Sequence, residues 1–397
     1  GLPLDVAAAN PSVMGDIVFF VVLESLNSHM VGDRITPQLM KASRDGIMFR
    51  EFYANSIQSE RSWEGILCGT PPGITRHLVE EYDADDIRKM PCLPGLFEKL
   101  GYRSMVFYGG TENPRAMKLF DALGFDDILT DEIMQPEDIK YDWGYREDIF
   151  FSRIDEYLQK HHADEKLFVF ITNSATNHTP FEVLDEAYLD DVPFPDPQLF
   201  EERLSNTTYI QDDYFGHFYN LYRNNYSHRS SLFVMSDHAW PVPIHEQNIY
   251  NERGAYEENF LISLLYVPPA IQNAHFAGPS DVPLRYSQMD ILPTIFDLIG
   301  LQTTFHLGES FAPWLLASPA EKLPDAVKPK ISVQPYGGGF ISVVRYPRKY
   351  LFDILAGNLV VFDLENDPQE RSPSKRNISQ YMHLIHDFFG HKKAGPR

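Results

Sequence analysis

Two hydrophobic textures alternate along this chain. Residues 17–23, 167–172, 231–235 and 260–267 are near-continuous β-branched and aromatic runs, as expected of strands covered on both faces in a parallel sheet. Stretches 37–46, 93–100, 148–161 and 202–223 repeat apolar residues at helical spacing, and Gly46 and Gly101 stop the first two. Runs 47–54 and 102–108 predict further strands, and Ser287-Gln288-Met289-Asp290 leads a helix through Leu301 with Asp290 at its N-cap. The alternation predicts an α/β fold: a large, mostly parallel sheet between helices, filling residues 1–304. Beyond residue 305 the texture changes. Short segments at 331–333, 340–345, 350–354 and 360–364, spaced by turns, predict an antiparallel meander, followed by a helix over 377–389; residues 305–397 form a smaller C-terminal antiparallel-sheet subdomain.

With 397 residues, 43% hydrophobic and 13% aromatic, the chain has ample material for such a core. Thirty-four Lys and Arg against 56 Asp and Glu leave a formal charge of −22, which argues against a nucleic-acid partner because phosphate contacts need clustered cations. No apolar run approaches the roughly 18–20 residues that span a bilayer. The abrupt start at Gly1, without a basic-then-apolar leader, fits a chain whose signal or membrane tether was trimmed upstream. Cys68 and Cys92 are too few for a disulfide scaffold or a thiolate metal cage. They either pair, closing a loop worth about 3 kcal/mol and suiting an exported protein, or stay as two buried thiols.

The candidate chemistry sits where the predicted strands end. Glu24 follows the run 17–23; Ser59 and Ser62 follow the run 47–54; Asn177 and His178 lie in the polar loop after 167–172; Asp237 and His238 close the run 231–235. Parallel strands bring these ends to one edge, where open α/β sheets hold their ligands. Taken singly, each has an ordinary reading: a glutamate leaving the sheet, a serine capping a helix, a histidine bonded within its loop. The Asp237-His238 pair resists that treatment, since both residues are costly to bury unless paired or bound to a metal. Together Glu24, Asp237, His238 and the Ser59 hydroxyl make a hard-to-borderline ligand set for one divalent ion, Mn²⁺ first, with Zn²⁺, Mg²⁺ and Ca²⁺ as alternatives. A serine hydroxyl on such an ion becomes a nucleophile at neutral pH, which suits phosphoryl or sulfuryl transfer through a covalent seryl intermediate. Ser62 keeps the N-cap role. Arg115, in the loop after 102–108, can fork onto an oxyanion. Residues 239–258, rich in proline and charge, predict a flap or insertion beside the site.

Six segments then resemble the alkaline-phosphatase/sulfatase superfamily, and within it the lipoteichoic-acid-synthase type of phosphoglycerol transferase. They are Val21-Val22-Leu23-Glu24-Ser25; Gln58-Ser59-Glu60-Arg61-Ser62 with Cys68-Gly69; Asn177-His178-Thr179-Pro180-Phe181; Met235-Ser236-Asp237-His238; Gln288 to Thr294; and Phe362 to Glu370. The resemblance covers nearly the whole chain. It implies an alkaline-phosphatase-like fold, with Glu24, Ser59, Asp237 and His238 as metal ligands, Ser59 as nucleophile, His178 as a catalytic and substrate-contacting residue, and Asn177 and Arg115 at the substrate. Trp143-Gly144 resembles a family landmark without an assigned role. The implied substrate is a phospholipid headgroup or another phosphodiester or sulfate ester, with a glycan or glycerol acceptor, on the periplasmic or extracellular face of the membrane. Two departures stand out. The transferases usually carry threonine at the place of Ser59, a change that keeps the hydroxyl. Formylglycine sulfatases need Cys/Ser-x-Pro-x-Arg, whereas Ser59 is followed by Glu60-Arg61-Ser62-Trp63. That context disfavours a formylglycine sulfatase. A phosphoethanolamine transferase, or a binding ectodomain without turnover, are the other readings of the same scaffold.

Overall fold

The computed structural model describes residues 6–251, 253–269, 281–282, 285–301, 307–316, 328–336 and 339–389. At its centre β1 (Ile17–Leu23) runs parallel to β7 (Leu167–Asn173) on one side and β8 (Ser230–Ser236) on the other, with Leu23 opposite Asn173 and Ser236. All three strands are buried throughout, β1 apolar at every position and β7 and β8 apolar over 167–171 and 232–235. Beyond β7 come β3 (Arg103–Tyr108) and β4 (Asp127–Leu129), both parallel. Beyond β8 come β9 (Leu261–Val267), β2 (Ile47–Tyr53) and the short β10 (Asp281–Val282), while β11 (Tyr286–Ser287) also pairs with β2. Only β9 among these runs antiparallel to its neighbours. Its reversal places its first residues, not its last, at the edge where β1, β7 and β8 end.

Alternate residues of β1 feed two cores. Val18, Phe20 and Val22 pack with α2 (Ser59–Cys68), α3 (Leu93–Lys99), α4 (Pro114–Leu123) and α7 (Ile291–Leu298), whereas Ile17, Phe19 and Val21 pack with α1 (Pro37–Ala42), α5 (Glu147–His161) and α6 (Phe200–Asn225). Each fully buried Leu, Ile, Val or Phe contributes about 1.5–3 kcal/mol, so burying both faces of β1 holds the strand ends in fixed relation. The pairing of Cys68 and Cys92 is resolved as a disulfide, which fastens the last turn of α2 to the start of α3.

The smaller sheet has the order β12 (Lys330–Gln334), β13 (Phe340–Arg345), β14 (Arg348–Asp353), β15 (Asn358–Asp363) and β16 (Ser374–Arg376), antiparallel throughout, with α8 (His383–Phe389) packed on it. It docks on the large sheet's site edge through backbone and side-chain bonds: Val333 N donates to Asn55 O at 2.9 Å, Asn55 Nδ2 to Ile331 O at 2.6 Å and Ser332 Oγ to Ala54 O at 2.6 Å. The expected boundary between residues 304 and 305 lies outside the described residues.

Some expected elements differ in detail. The helix expected over 37–46 ends at Ala42 and tightens into a 3₁₀ turn, Ser43–Asp45, before Gly46. The last helix divides into a 3₁₀ turn, Ile378–Gln380, and α8. Asp290 stands before α7 but does not cap it; its carboxylate accepts Ser287 N at 2.7 Å and pairs with Lys330 Nζ at 2.9 Å. The insertion after His238 is packed down rather than raised: Asn27 Nδ2 donates to Trp240 O, and Asn251 Nδ2 to Ile57 O.

Candidate active site

β1 and β8 end side by side, and their last residues are sewn together. Leu26 N donates to Ser236 Oγ, which bonds Leu23 O at 2.9 Å, and Ser25 N donates to Asp237 Oδ1 at 3.0 Å. Ser25 adopts a left-handed φ of 57°, a conformation an L side chain takes only when neighbours impose it. The turn sends Glu24 inward, where Ser25 Oγ donates to its Oε1 at 2.8 Å. His238 Nε2 then lies 3.3 Å from Glu24 Oε1 and 3.5 Å from Asp237 Oδ2. Among the described residues these three form one cluster whose ligand atoms lie within 4.8 Å of one another, all buried.

Ser59 arrives from the other side as the first residue of α2, after Gln58 at the N-cap. Its hydroxyl is near enough to the Asp237 carboxylate to favour that group's ionised form. The first-turn amides of α2 have no intrahelical acceptor, so the positive end of the helix faces the same place. Ser62 does not cap. It lies inside α2, wholly buried, with Oγ directed at Ser56 O at 3.4 Å, because Gln58 already ends the preceding extended segment.

The cluster suits a cation. Burial and the nearby Glu24 charge push the Asp237 carboxyl up to about 6. Burial opposes charge on His238, but the facing Asp237 and Glu24 carboxylates outweigh it and raise its pKa. Asp237 Oδ2 is buried with no aligned hydrogen-bond donor among the described residues. Two carboxylates, an imidazole nitrogen and a serine hydroxyl around an unsatisfied buried oxygen fit one divalent ion.

His178 stands across the site on the loop after β7. Its Nδ1 faces Thr179 O at 3.1 Å and its ring stacks on Trp143 at 3.9 Å between centroids. Burial lowers its pKa more than that carbonyl raises it. Trp143, 42% exposed, caps the hairpin of β5 (Lys140–Tyr141) and β6 (Gly144–Tyr145). A Cβ at Gly144 would meet Asn173 Oδ1 at 2.3 Å, so only glycine lets the hairpin approach this loop.

Asn177 is wholly buried and its amide is engaged internally: Nδ2 donates to Glu24 O at 3.0 Å and Oδ1 accepts from Thr207 Oγ1 at 2.8 Å. The residue thereby fixes Glu24 against α6. Arg115, in the first turn of α4, lies at the rim with Nη1 4.0 Å from Glu60 Oε1 and Nε 3.7 Å from Glu80 Oε1. Contacts this loose at a half-exposed side chain contribute little.

Three supporting residues escaped sequence reasoning. Gln288, wholly buried, accepts from Asn55 N at 2.9 Å and donates to Asp237 O at 2.6 Å, joining the Ser59 segment to the end of β8. Asn55 Oδ1 in turn accepts Met289 N at 2.8 Å. Glu147, the first residue of α5, accepts Thr176 N at 2.8 Å and the Thr176 hydroxyl, anchoring the loop that carries His178. Burial raises the Glu147 pKa from 4.5 to about 7, against the pull of the Thr176 bonds. The proton it keeps therefore favours the fold below about 4.5, and that contribution is lost as the pH rises through about 7. Urea unfolding of wild type and Glu147→Gln is expected to diverge across this window by on the order of 3 kcal/mol, wild type losing stability relative to the variant. A pH-independent difference would show that Glu147 titrates normally.

A sequence model of the sulfatase family matches residues 16–301. Among curated proteins, the lipoteichoic acid synthase-like protein YvgJ of Bacillus subtilis (strain 168) is 24% identical over 310 residues; the match covers 73% of this chain and 48% of YvgJ, so the chain spans about half the length of that relative. Solved structures share the fold. A protein in the alkaline phosphatase superfamily from Vibrio parahaemolyticus superposes with a TM-score of 0.74 at 20% identity, covering 99% of this chain and 91% of its own. The lipoteichoic acid synthase LtaP from Listeria monocytogenes gives a TM-score of 0.73 at 13% identity, covering 98% and 93%. No helix among the described residues is long and apolar enough to cross a membrane.

Proposed function

This chain belongs to the sulfatase family of the alkaline phosphatase superfamily, and on that footing we propose that it is a metal-dependent phosphodiester transferase or hydrolase acting on phosphoglycerol-type substrates through Ser59. The observation that carries this reading is the meeting of Ser59, at a helix N-terminus, with the buried Glu24, Asp237 and His238 cluster. Those four residues would hold one divalent ion, with Mn²⁺ the first candidate. When bound, such an ion supplies Lewis-acid stabilisation of the serine oxygen and of a phosphoryl oxygen.

In the first half-reaction Ser59 Oγ bonds to phosphorus, the bond to the leaving alcohol breaks, and the alcohol departs with a proton equivalent to the one Ser59 gives up. The Arg115 guanidinium and the first-turn amides of α2 would take negative charge on the phosphoryl oxygens. In the second, an acceptor hydroxyl or water bonds to phosphorus, the Ser59 Oγ–P bond breaks, and the acceptor's proton replaces the one Ser59 lost. His178 can accept that proton at Nε2: Nδ1 faces a carbonyl, a pairing that needs N–H there and leaves the Nε2 lone pair free in the neutral ring. Asn177 enters as a positioning residue for Glu24.

A hydroxyl rather than a formylglycine as nucleophile follows from the absent Pro-x-Arg context. The disulfide supports action outside the cytoplasm, at the periplasmic or extracellular face, where such bonds persist. Metal analysis tests the centre. Purified protein is expected to carry about one divalent ion per chain, with Asp237→Asn losing it because the unsatisfied oxygen is replaced by an amide. Stoichiometric metal in that variant, or none in wild type, sinks the reading. Turnover compared across a glycerophospholipid, an aryl phosphate and an aryl sulfate is expected to favour the first.

A further inference from the structure

The small sheet reaches the rim of the site. β12 runs parallel to the chain at Ser56, so its C-terminal end lies toward Ser59. Just past that end, Tyr336 accepts a hydrogen bond from the side chain of Gln58, the residue before Ser59. Gly339 N donates to Tyr336 O at 3.3 Å and Ile354 N to Gly339 O at 3.1 Å, which draws the β14–β15 turn to the same rim. There Tyr336 is 41% exposed, Ile354 39% and Leu355 81%. Across β15, the next strand places Arg376 opposite Leu359 and Lys375 opposite Val360, so two exposed cations stand on one side of the turn. Asp353 is the acidic group at this turn, engaged by Ala356 N at 2.9 Å.

Charge is divided in the same sense. Residues 328–389 carry 8 Lys and Arg against 6 Asp and Glu, a net of +2, while residues 1–327 carry 23 against 50, a net of −27. The small sheet is therefore the part of the chain that an anionic surface repels least.

We propose that this rim, with Tyr336, Ile354 and Leu355 exposed beside the strand that carries Lys375 and Arg376, docks the protein on a membrane surface containing anionic phospholipid and sets Ser59 over the headgroups. The apolar turn enters the headgroup boundary and the two cations meet lipid phosphate. The proposal rests on the phosphodiester reading above, but binding is measured without turnover.

The test is cosedimentation of the purified chain with vesicles of phosphatidylcholine alone or mixed with phosphatidylglycerol. Wild type is expected to sediment with the mixed vesicles, not with phosphatidylcholine alone, and to be released by salt. Leu355→Asp and Lys375→Glu are each expected to lower the partition coefficient about fivefold or more, roughly the weight of one surface cation, while cleaving a soluble phosphodiester at the wild-type rate. Leu355→Ser is a milder replacement should Leu355→Asp perturb the turn. Equal sedimentation of wild type and variants, or no binding to anionic vesicles at low salt, overturns the docking surface. Self-association without vesicles that Leu355→Asp abolishes would assign the rim to a second copy and also overturn it. Binding without phosphodiester turnover would keep the docking surface and remove the proposed reaction; turnover without binding would do the reverse.

Discussion

Ser59→Ala is expected to lower turnover by roughly 10⁴-fold or more and to leave the metal in place. The size follows from the lack of a substitute. Ser62 is wholly buried with its hydroxyl directed at Ser56 O, and the Ser25 hydroxyl donates to Glu24 Oε1. Neither can replace the lost oxygen. The variant should fold as well as wild type, because Ser59 is not the cap of α2, so kinetics rather than yield carries the result. Stopped assays on phosphodiester substrates, with mass spectrometry for a phosphoglycerol adduct on the Ser59 peptide, check it. Turnover at the wild-type rate in Ser59→Ala would falsify the nucleophile assignment.

Lys349→Ala is expected to lower stability by about 3–5 kcal/mol, the largest effect anticipated away from the chemistry. Lys349 is wholly buried, with Nζ 2.7 Å from Glu370 Oε1 and 3.1 Å from Glu257 Oε1. Glu257 N donates to Glu370 Oε2, and the Tyr53 hydroxyl donates to Glu257 Oε2. Burial already pushes the Glu370 carboxyl up, and Lys349 is the charge that opposes this. Removing the ammonium leaves two buried carboxylates facing each other. Chemical denaturation measures the loss, and the triple change Lys349→Met, Glu257→Gln, Glu370→Gln should recover much of it, because no unpaired charge then remains. A loss below about 1 kcal/mol for Lys349→Ala would mean that water reaches the cluster.

The sheet was legible where burial leaves a one-dimensional mark. β1, β7 and β8 lie under helices on both faces, so their central positions are apolar on both faces, and the polar residues at and after their ends marked the site edge. An apolar run carries no sign of direction, however, and the reversal of β9 could not be read from its composition. The amide of Asn177 looks the same in sequence whether it meets substrate or the Glu24 carbonyl; contact with α6 decides. Gln288 and Glu147 looked like ordinary polar residues at helix starts, and their long-range partners, 233 and 29 residues away, are set by tertiary packing. The pairing of Cys68 with Cys92 was open because separation along the chain does not fix the distance between two cysteines, which the packing of α2 on α3 supplies.

The bonds from Ile331, Ser332 and Val333 to Ala54 and Asn55 bear on heredity as well as on stability. A chain cut after the large sheet would keep all the proposed metal ligands yet expose the backbone that leads into Ser59, with Asn55 stripped of its acceptor. The C-terminal sheet is therefore a poor unit for recombination. Exchanging it between relatives would have to preserve Asn55 and Ser332, whose side chains reach backbone across the junction, which ties the two sheets into a single inherited block.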